Sequence, residues 1–218
     1  MCPTIKRIRC EVHASMNGVI SDSMQAKGIH YQLNYGVDIP KLRLIAKKYK
    51  ADKELAEELW SEEVRELKIL ATMLYPPVDF TKEMAEKWVR EIPTREVREQ
   101  VCRNLFQSLS FADTLVQAWA ESEIVEIRIT GYWLFARLCI IRSEAVQNIQ
   151  PKHIMENVIN DLQTSSMLLR QAALNVLRYY GRLSKKNGAV ILQKIADFEN
   201  SDNLQKREMY DVLRFEFG

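Results

Sequence analysis

The chain has 218 residues, with 31 basic and 29 acidic side chains and a net charge of +2 at pH 7. A composition of 47% hydrophobic and 28% charged residues is that of an ordinary globular protein, and so even a charge balance excludes bulk charge as a sign of nucleic-acid binding, though local basic clusters stay open. Seven glycines and six prolines are too few for turn-rich β structure, so helix is expected to dominate.

In chain order, residues 1–36 read as an N-terminal cap of helices, Ile5 to Met16 and Ser21 to Leu33, with Asn17-Gly18 as the turn between them. Residues 37–218 then read as helical hairpins in the same single domain. Asp38 is placed to cap a helix whose first turn holds Pro40, where a missing N–H costs nothing, and Leu42, Ile45 and Tyr49 share one face. A second run carries Leu55, Leu59 and Trp60. A third, predicted to start at Ser61, carries Val64, Leu67, Leu70 and Leu74 and is stopped by Pro76-Pro77. Further helices are predicted through Trp88 and Val89, from Thr94 to about Leu109, and from Ser110 through Trp119. Glu123 to Ile141 is apolar on most sides, which predicts a central, well-covered helix. Pro151 to Leu162, Ser166 to Tyr180, Lys185 to Phe198 and Asp202 to Phe215 complete the series. The longest apolar run, Tyr132 to Ile141, contains Arg137 and falls short of the roughly 20 residues that span a bilayer.

One cadence recurs at the helix entrances: a hydroxyl residue followed four to six residues later by an arginine. It occurs at Ser61/Arg65, Thr94/Arg98, Ser122/Arg128, Ser166/Arg170 and Ser201/Arg207, and the arginines are 33, 30, 42 and 37 residues apart. That period is the length of a helical hairpin, and it predicts an all-α fold, an α–α superhelix of HEAT-like repeats.

The run GIHYQLNYGVDIPKLRLIAKKYK, followed by LAEELWSEEVRELKILATMLYPP, resembles the AlkD-like DNA alkylation repair family over residues 28–77, and later segments agree in helix rhythm and in the arginine of ESEIVEIRITGYW. The resemblance implies HEAT-like hairpins that present a curved, positive surface to double-stranded DNA. It also implies, for active members, excision of cationic alkylated bases with an aspartate near the exposed sugar, where a carboxylate stabilises developing positive charge. In that family a Trp-Asp-x-x-Asp arrangement opens a helix. The corresponding stretch here reads Arg98-Glu99-Gln100-Val101-Cys102, so Arg98 stands for an aromatic contact and Cys102 for the catalytic aspartate, with Glu99 the nearest carboxylate. Asn175 takes the place of a later tryptophan, and Arg128 matches the family arginine.

The resemblance leads to a DNA-binding protein, selective for damaged or distorted duplex, that has lost or altered its base-excision chemistry. Arg128, Arg98, Arg170, Arg65, Lys47 and Lys48 are the expected DNA contacts. An active alkylpurine glycosylase with a displaced carboxylate is one alternative; a non-catalytic scaffold for protein partners is the other. The arginines have a second reading as fasteners between hairpins, and the basic cluster Arg178, Arg182, Lys185 and Lys186 has one as a solvated helix end. Trp60, Trp88, Trp119 and Trp133 are expected in the core. Cys2, Cys10, Cys102 and Cys139 show no metal-ligand spacing, and His13, His30 and His153 are isolated. No metal, cofactor or membrane is expected, and the protein is expected to be a cytosolic monomer.

Overall fold

The structure, a computed structural model, describes residues 3–217; Cys2 lies outside the described residues. It is all-α, with thirteen α-helices and no strand among those residues, and contacts divide it into two compact units, Met1–Leu109 and Ser110–Gly218.

The first unit contains α1 (Pro3–Ala14), α2 (Gly18–Ala26), α3 (Ile39–Ala46), α4 (Lys53–Ser61), α5 (Arg65–Leu74), α6 (Lys82–Arg90) and α7 (Arg95–Asn104). Helices α3, α5 and α7 pack side by side in one row, and α4 lies against α5. The entrance to α3 is built as its sequence dictates: Asp38 Oδ1 accepts the Lys41 N–H at 2.7 Å, and Pro40 sits in the first turn. Buried Leu42, Ile45, Leu59, Leu67 and Leu70 fill the interior. Trp60 and Trp88 stack in parallel, 4.0 Å between centroids, and join α4 to α6.

Helix boundaries differ from the sequence reading at several places, three of which shape the first unit. The helix expected to run to Leu33 ends at Ala26, because Gly28 takes φ 77° and turns the chain into an extended segment whose Leu33 pairs with Val64. Ser61 does not open α5. It ends α4, its hydroxyl donating to Glu58 O, and α5 starts after Val64 with the Arg65 N–H on Leu33 O at 3.0 Å. Helix α7 stops at Asn104 instead of Leu109, and a 3₁₀ turn at Phe106–Ser108 follows.

The second unit contains α8 (Ala112–Ala120), α9 (Val125–Ile140), α10 (Pro151–Asp161), α11 (Met167–Gly181), α12 (Lys185–Lys194) and α13 (Leu204–Phe217). Helix α9 packs on α8 and on α11, and it buries residues on most of its circumference, Ile127, Ile129, Tyr132, Leu134, Phe135 and Leu138 among them. Gly131 permits the closest approach: a Cβ there would lie 2.5 Å from Ala120 N. Trp119 is buried, whereas Trp133 is only half-buried and departs from the core placement expected of it.

Candidate nucleic-acid interface

The five cadence arginines do different jobs. Arg65 is 1% exposed. Its Nε and Nη2 donate to Glu96 at 2.8 and 2.6 Å, and its Nη1 donates to Glu66 Oε1 at 2.8 Å and to Val37 O at 2.7 Å. Glu66 in turn accepts the Tyr35 and Val37 N–H groups, and the Tyr31 hydroxyl donates to Glu96 at 2.9 Å. A guanidinium held in this way, with four of its five N–H groups spent and its side chain buried, fastens the entrances of α5 and α7 to the extended segment before α3 and is out of reach of a phosphate. Burial alone would raise the Glu96 carboxyl, but hydrogen bonds and charge from Arg65, with help from Tyr31, hold it below the usual carboxylate range.

Arg98 is also buried, on the inner face of α7. Arg170 Nη1 folds back to Thr164 O at 2.7 Å, and in the amide orientation that matches donor to acceptor Gln205 accepts its Nε and Nη2. Arg207 makes the equivalent return to Ser201 O. Both reach back six residues, which is a local fastening of the loop before the helix. Arg128 is half-buried, its Nε 3.1 Å from Asp161 Oδ2 but without hydrogen-bond alignment; the same oxygen accepts the Tyr132 hydroxyl at 2.7 Å. Tyr132 follows Arg128 by one helical turn, so two side chains of α9 meet one buried carboxylate of α10.

Lys47 and Lys48 part company as well. Lys48 Nζ pairs with Glu11 at 2.6 Å, and Glu11 also accepts the Tyr49 hydroxyl at 2.8 Å. Burial first, then this carboxylate, push the Tyr49 hydroxyl up to about 12. Lys47 instead faces an open cleft of about 500 Å³ where the C-terminal ends of α3, α5 and α7 come together. Arg43, Lys47, Tyr49, Arg103 and Asn104 supply its polar lining, and no carboxylate lines it. Arg43 and Arg103 escaped the sequence reading. Arg43 and Lys47 do carry a local signal, two cations four residues apart on α3, but Arg103 joins them only through packing. Cations at helix C-termini offset the negative end of the helix dipole, which accounts for each residue singly and not for three of them around one acid-free cleft.

On α7 the side chains divide into two faces. Val97, Arg98, Val101 and Cys102 are buried, and Arg95, Glu99 and Arg103 lie on the accessible side. Cys102 is 0% exposed. Glu99 accepts from Arg95 Nε at 2.8 Å in an i, i+4 pair. Asn175 is buried in α11.

The family model for the DNA alkylation repair enzyme matches residues 8–197. The chain belongs to this family. It shares its fold with a solved structure from a family of proteins related to the HEAT-like repeat DNA glycosylases with affinity for branched DNA structures: 19% identity, 98% of this chain and 95% of that one covered, TM-score 0.75. Two designed armadillo repeat proteins are more distant. One has 10% identity, covers 82% of this chain and 92% of its own, and gives a TM-score of 0.41; the other, in complex with a (KR)4 peptide, has 12% identity, coverage of 97% and 91%, and a TM-score of 0.46. Among curated protein sequences none matches significantly.

Within this DNA alkylation repair family member, Glu99 is thus the one carboxylate on the accessible side of α7, and it is paired with Arg95. Among the described residues no group of three or more histidine, cysteine, aspartate or glutamate side chains is placed to hold a metal ion, and no helix is long and apolar enough to cross a membrane.

Proposed function

We propose that the protein binds DNA by its phosphate backbone, through the cleft of Arg43, Lys47 and Arg103 with Arg128 as a further contact, and that it does so without excising bases. The observation that carries the reading is the cleft: three cations with no carboxylate beside them, in a chain of the DNA alkylation repair family. Phosphate contacts of this kind position a duplex without reading its sequence, so selectivity falls to the shape of the DNA. The affinity of the structural relative for branched DNA makes a four-way junction the first distorted substrate to try.

The chemical half of the proposal rests on α7. Base release from a cationic nucleotide needs a carboxylate free to face the sugar, and the position matched to it holds the buried thiol of Cys102.

Binding to labelled plain duplex and to a labelled four-way junction across a salt series tests the binding half, and alkylpurine release tests the chemical half. Each phosphate contact adds about 0.9 to the slope of log K against log salt. The triple substitution Arg43→Ala, Lys47→Ala, Arg103→Ala is expected to flatten the slope by about 2.7, which makes the loss of affinity about 40-fold larger at 50 mM than at 200 mM salt. Arg128→Ala should remove about one further contact. An unchanged slope in the triple variant would take the cleft out of the interface. Release of alkylpurine that disappears in Glu99→Gln would restore the glycosylase reading.

A further inference from the structure

The basic cluster at the end of α11 is unused by the reading above, and it is already occupied. Arg178 Nε donates to Glu216 Oε1 at 3.0 Å with Nη2 on the same oxygen, and Arg182 donates to Oε2 from Nε at 2.7 Å and from Nη2. Two guanidinium forks therefore hold one carboxylate, which they bring below its usual range. Next to it the Phe217 ring lies over Gly181 and Gly188; a side chain at Gly181 would overlap the ring, and a Cβ at Gly188 would come within 3.0 Å of it. The two glycines form the seat that lets the last turn of α13 lie flat on α11 and α12.

Fastening this turn requires one arginine. The site has two, and Lys185 and Lys186 follow at the start of α12, both exposed and without a carboxylate partner among the described residues. Two cations thus hold one carboxylate, with two more cations three and four residues beyond Arg182 in sequence, and such a surplus of positive charge favours the approach of another anion. The arginines remain reachable while they hold Glu216: their side chains are 31% and 46% exposed, against 12% for the glutamate. A planar guanidinium fork accepts carboxylate and phosphate oxygens with the same geometry.

We infer that Arg178 and Arg182, flanked by Lys185 and Lys186, form a second phosphate-binding site that Glu216 closes from within the same chain. The ligand is a backbone phosphate of DNA, in keeping with the proposed function on which this inference rests. Its carboxylate stand-in lowers affinity by holding the two arginines until a phosphate displaces it.

The test is a gain of binding, which misfolding does not produce. Glu216→Gln keeps the side-chain size and leaves Phe217 in its seat. In the salt series on labelled duplex it should steepen the slope by about 1.8, two contacts at about 0.9 each, so that its advantage over the natural chain is about 12-fold larger at 50 mM than at 200 mM salt. Adding Arg178→Ala and Arg182→Ala to Glu216→Gln should abolish that gain. A slope equal to that of the natural chain, or a gain that survives loss of both arginines, overturns the inference. The natural chain is the reference for the other reading: if it binds with its cleft-dependent slope and Glu216→Gln adds nothing, only the masked site falls; if neither binds, both fall. Inorganic tripolyphosphate provides a separate arm. Arginine-dependent stabilisation of Glu216→Gln by tripolyphosphate, with no change on DNA, would assign the site to a small phosphate ligand and overturn the DNA assignment.

Discussion

Replacing Glu96 by Gln separates a fastening arginine from a phosphate-binding one. The substitution keeps the shape, and the Tyr31 hydroxyl retains an acceptor, but it removes one of the two charges opposing Arg65, a guanidinium 1% exposed. Breaking a buried pair costs about 3–5 kcal/mol. Glu66 stays in place and Glu96 is itself 22% exposed, so the lower end applies, about 3 kcal/mol. With an m-value of about 2 kcal/mol/M in urea the midpoint falls by about 1.5 M. Trp60 and Trp88, stacked in the same unit, provide the fluorescence signal. The pH dependence has a defined sign. The folded-state carboxyl lies below its ordinary value, so its contribution is complete above the unfolded glutamate pKa of about 4.3 and is lost as pH falls through the depressed folded value. The gap between natural and substituted chains should therefore be full at pH 7 and close in acid. Destabilisation below about 0.5 kcal/mol, a gap that widens in acid, or a flatter salt slope on DNA at unchanged fold would refute the fastening role.

Two further substitutions and a labelling experiment probe one glycine in each unit and the thiols. Gly131→Ala sets a methyl 2.5 Å from Ala120 N and 2.7 Å from Trp119 C, both backbone atoms that cannot turn aside. Overpacking of about 1–3 kcal/mol or more outweighs the roughly 1 kcal/mol gained in helix propensity, and thermal unfolding should show net destabilisation. Gly18→Ala, with nothing within 4 Å of its new methyl, should leave stability nearly unchanged. Burial pushes the Cys139 thiol up to about 12, whereas Cys10 is exposed. Iodoacetamide at pH 8 should label Cys10 in the native protein and reach Cys139 only after unfolding, as read by mass spectrometry.

How much of this was legible beforehand depended on range. Asp38 with Pro40, and the hydroxyls of Thr94 and Ser166, cap the helices they precede because a cap needs only the three residues after it. Ser61 satisfies the same local rule and fails. Helix α4 runs on to it, and a carbonyl 32 residues earlier in sequence, that of Leu33, receives the Arg65 N–H instead. The cadence arginines showed the hairpin period, but not their partners: Glu96 is 31 residues from Arg65, and the residue that spends an arginine is chosen by packing. Arg103 reaches Arg43 and Lys47 only because α5 lies between α3 and α7 and ends at the same level.

Helix α7 joins these observations to function. With Val97, Arg98, Val101 and Cys102 turned inward, the accessible side is left to Arg95, Glu99 and Arg103. That side carries two cations and one acid. The Arg95–Glu99 pair is an exposed i, i+4 contact, 49% and 35% exposed, worth a few tenths of a kcal/mol at most. An incoming polyanion would find Glu99 repulsive if it stood alone, and pairing with Arg95 is what makes this carboxylate tolerable beside Arg103. The arrangement suits the proposed approach of α7 to a phosphate backbone, with Arg95 and Arg103 on either side of a single acid.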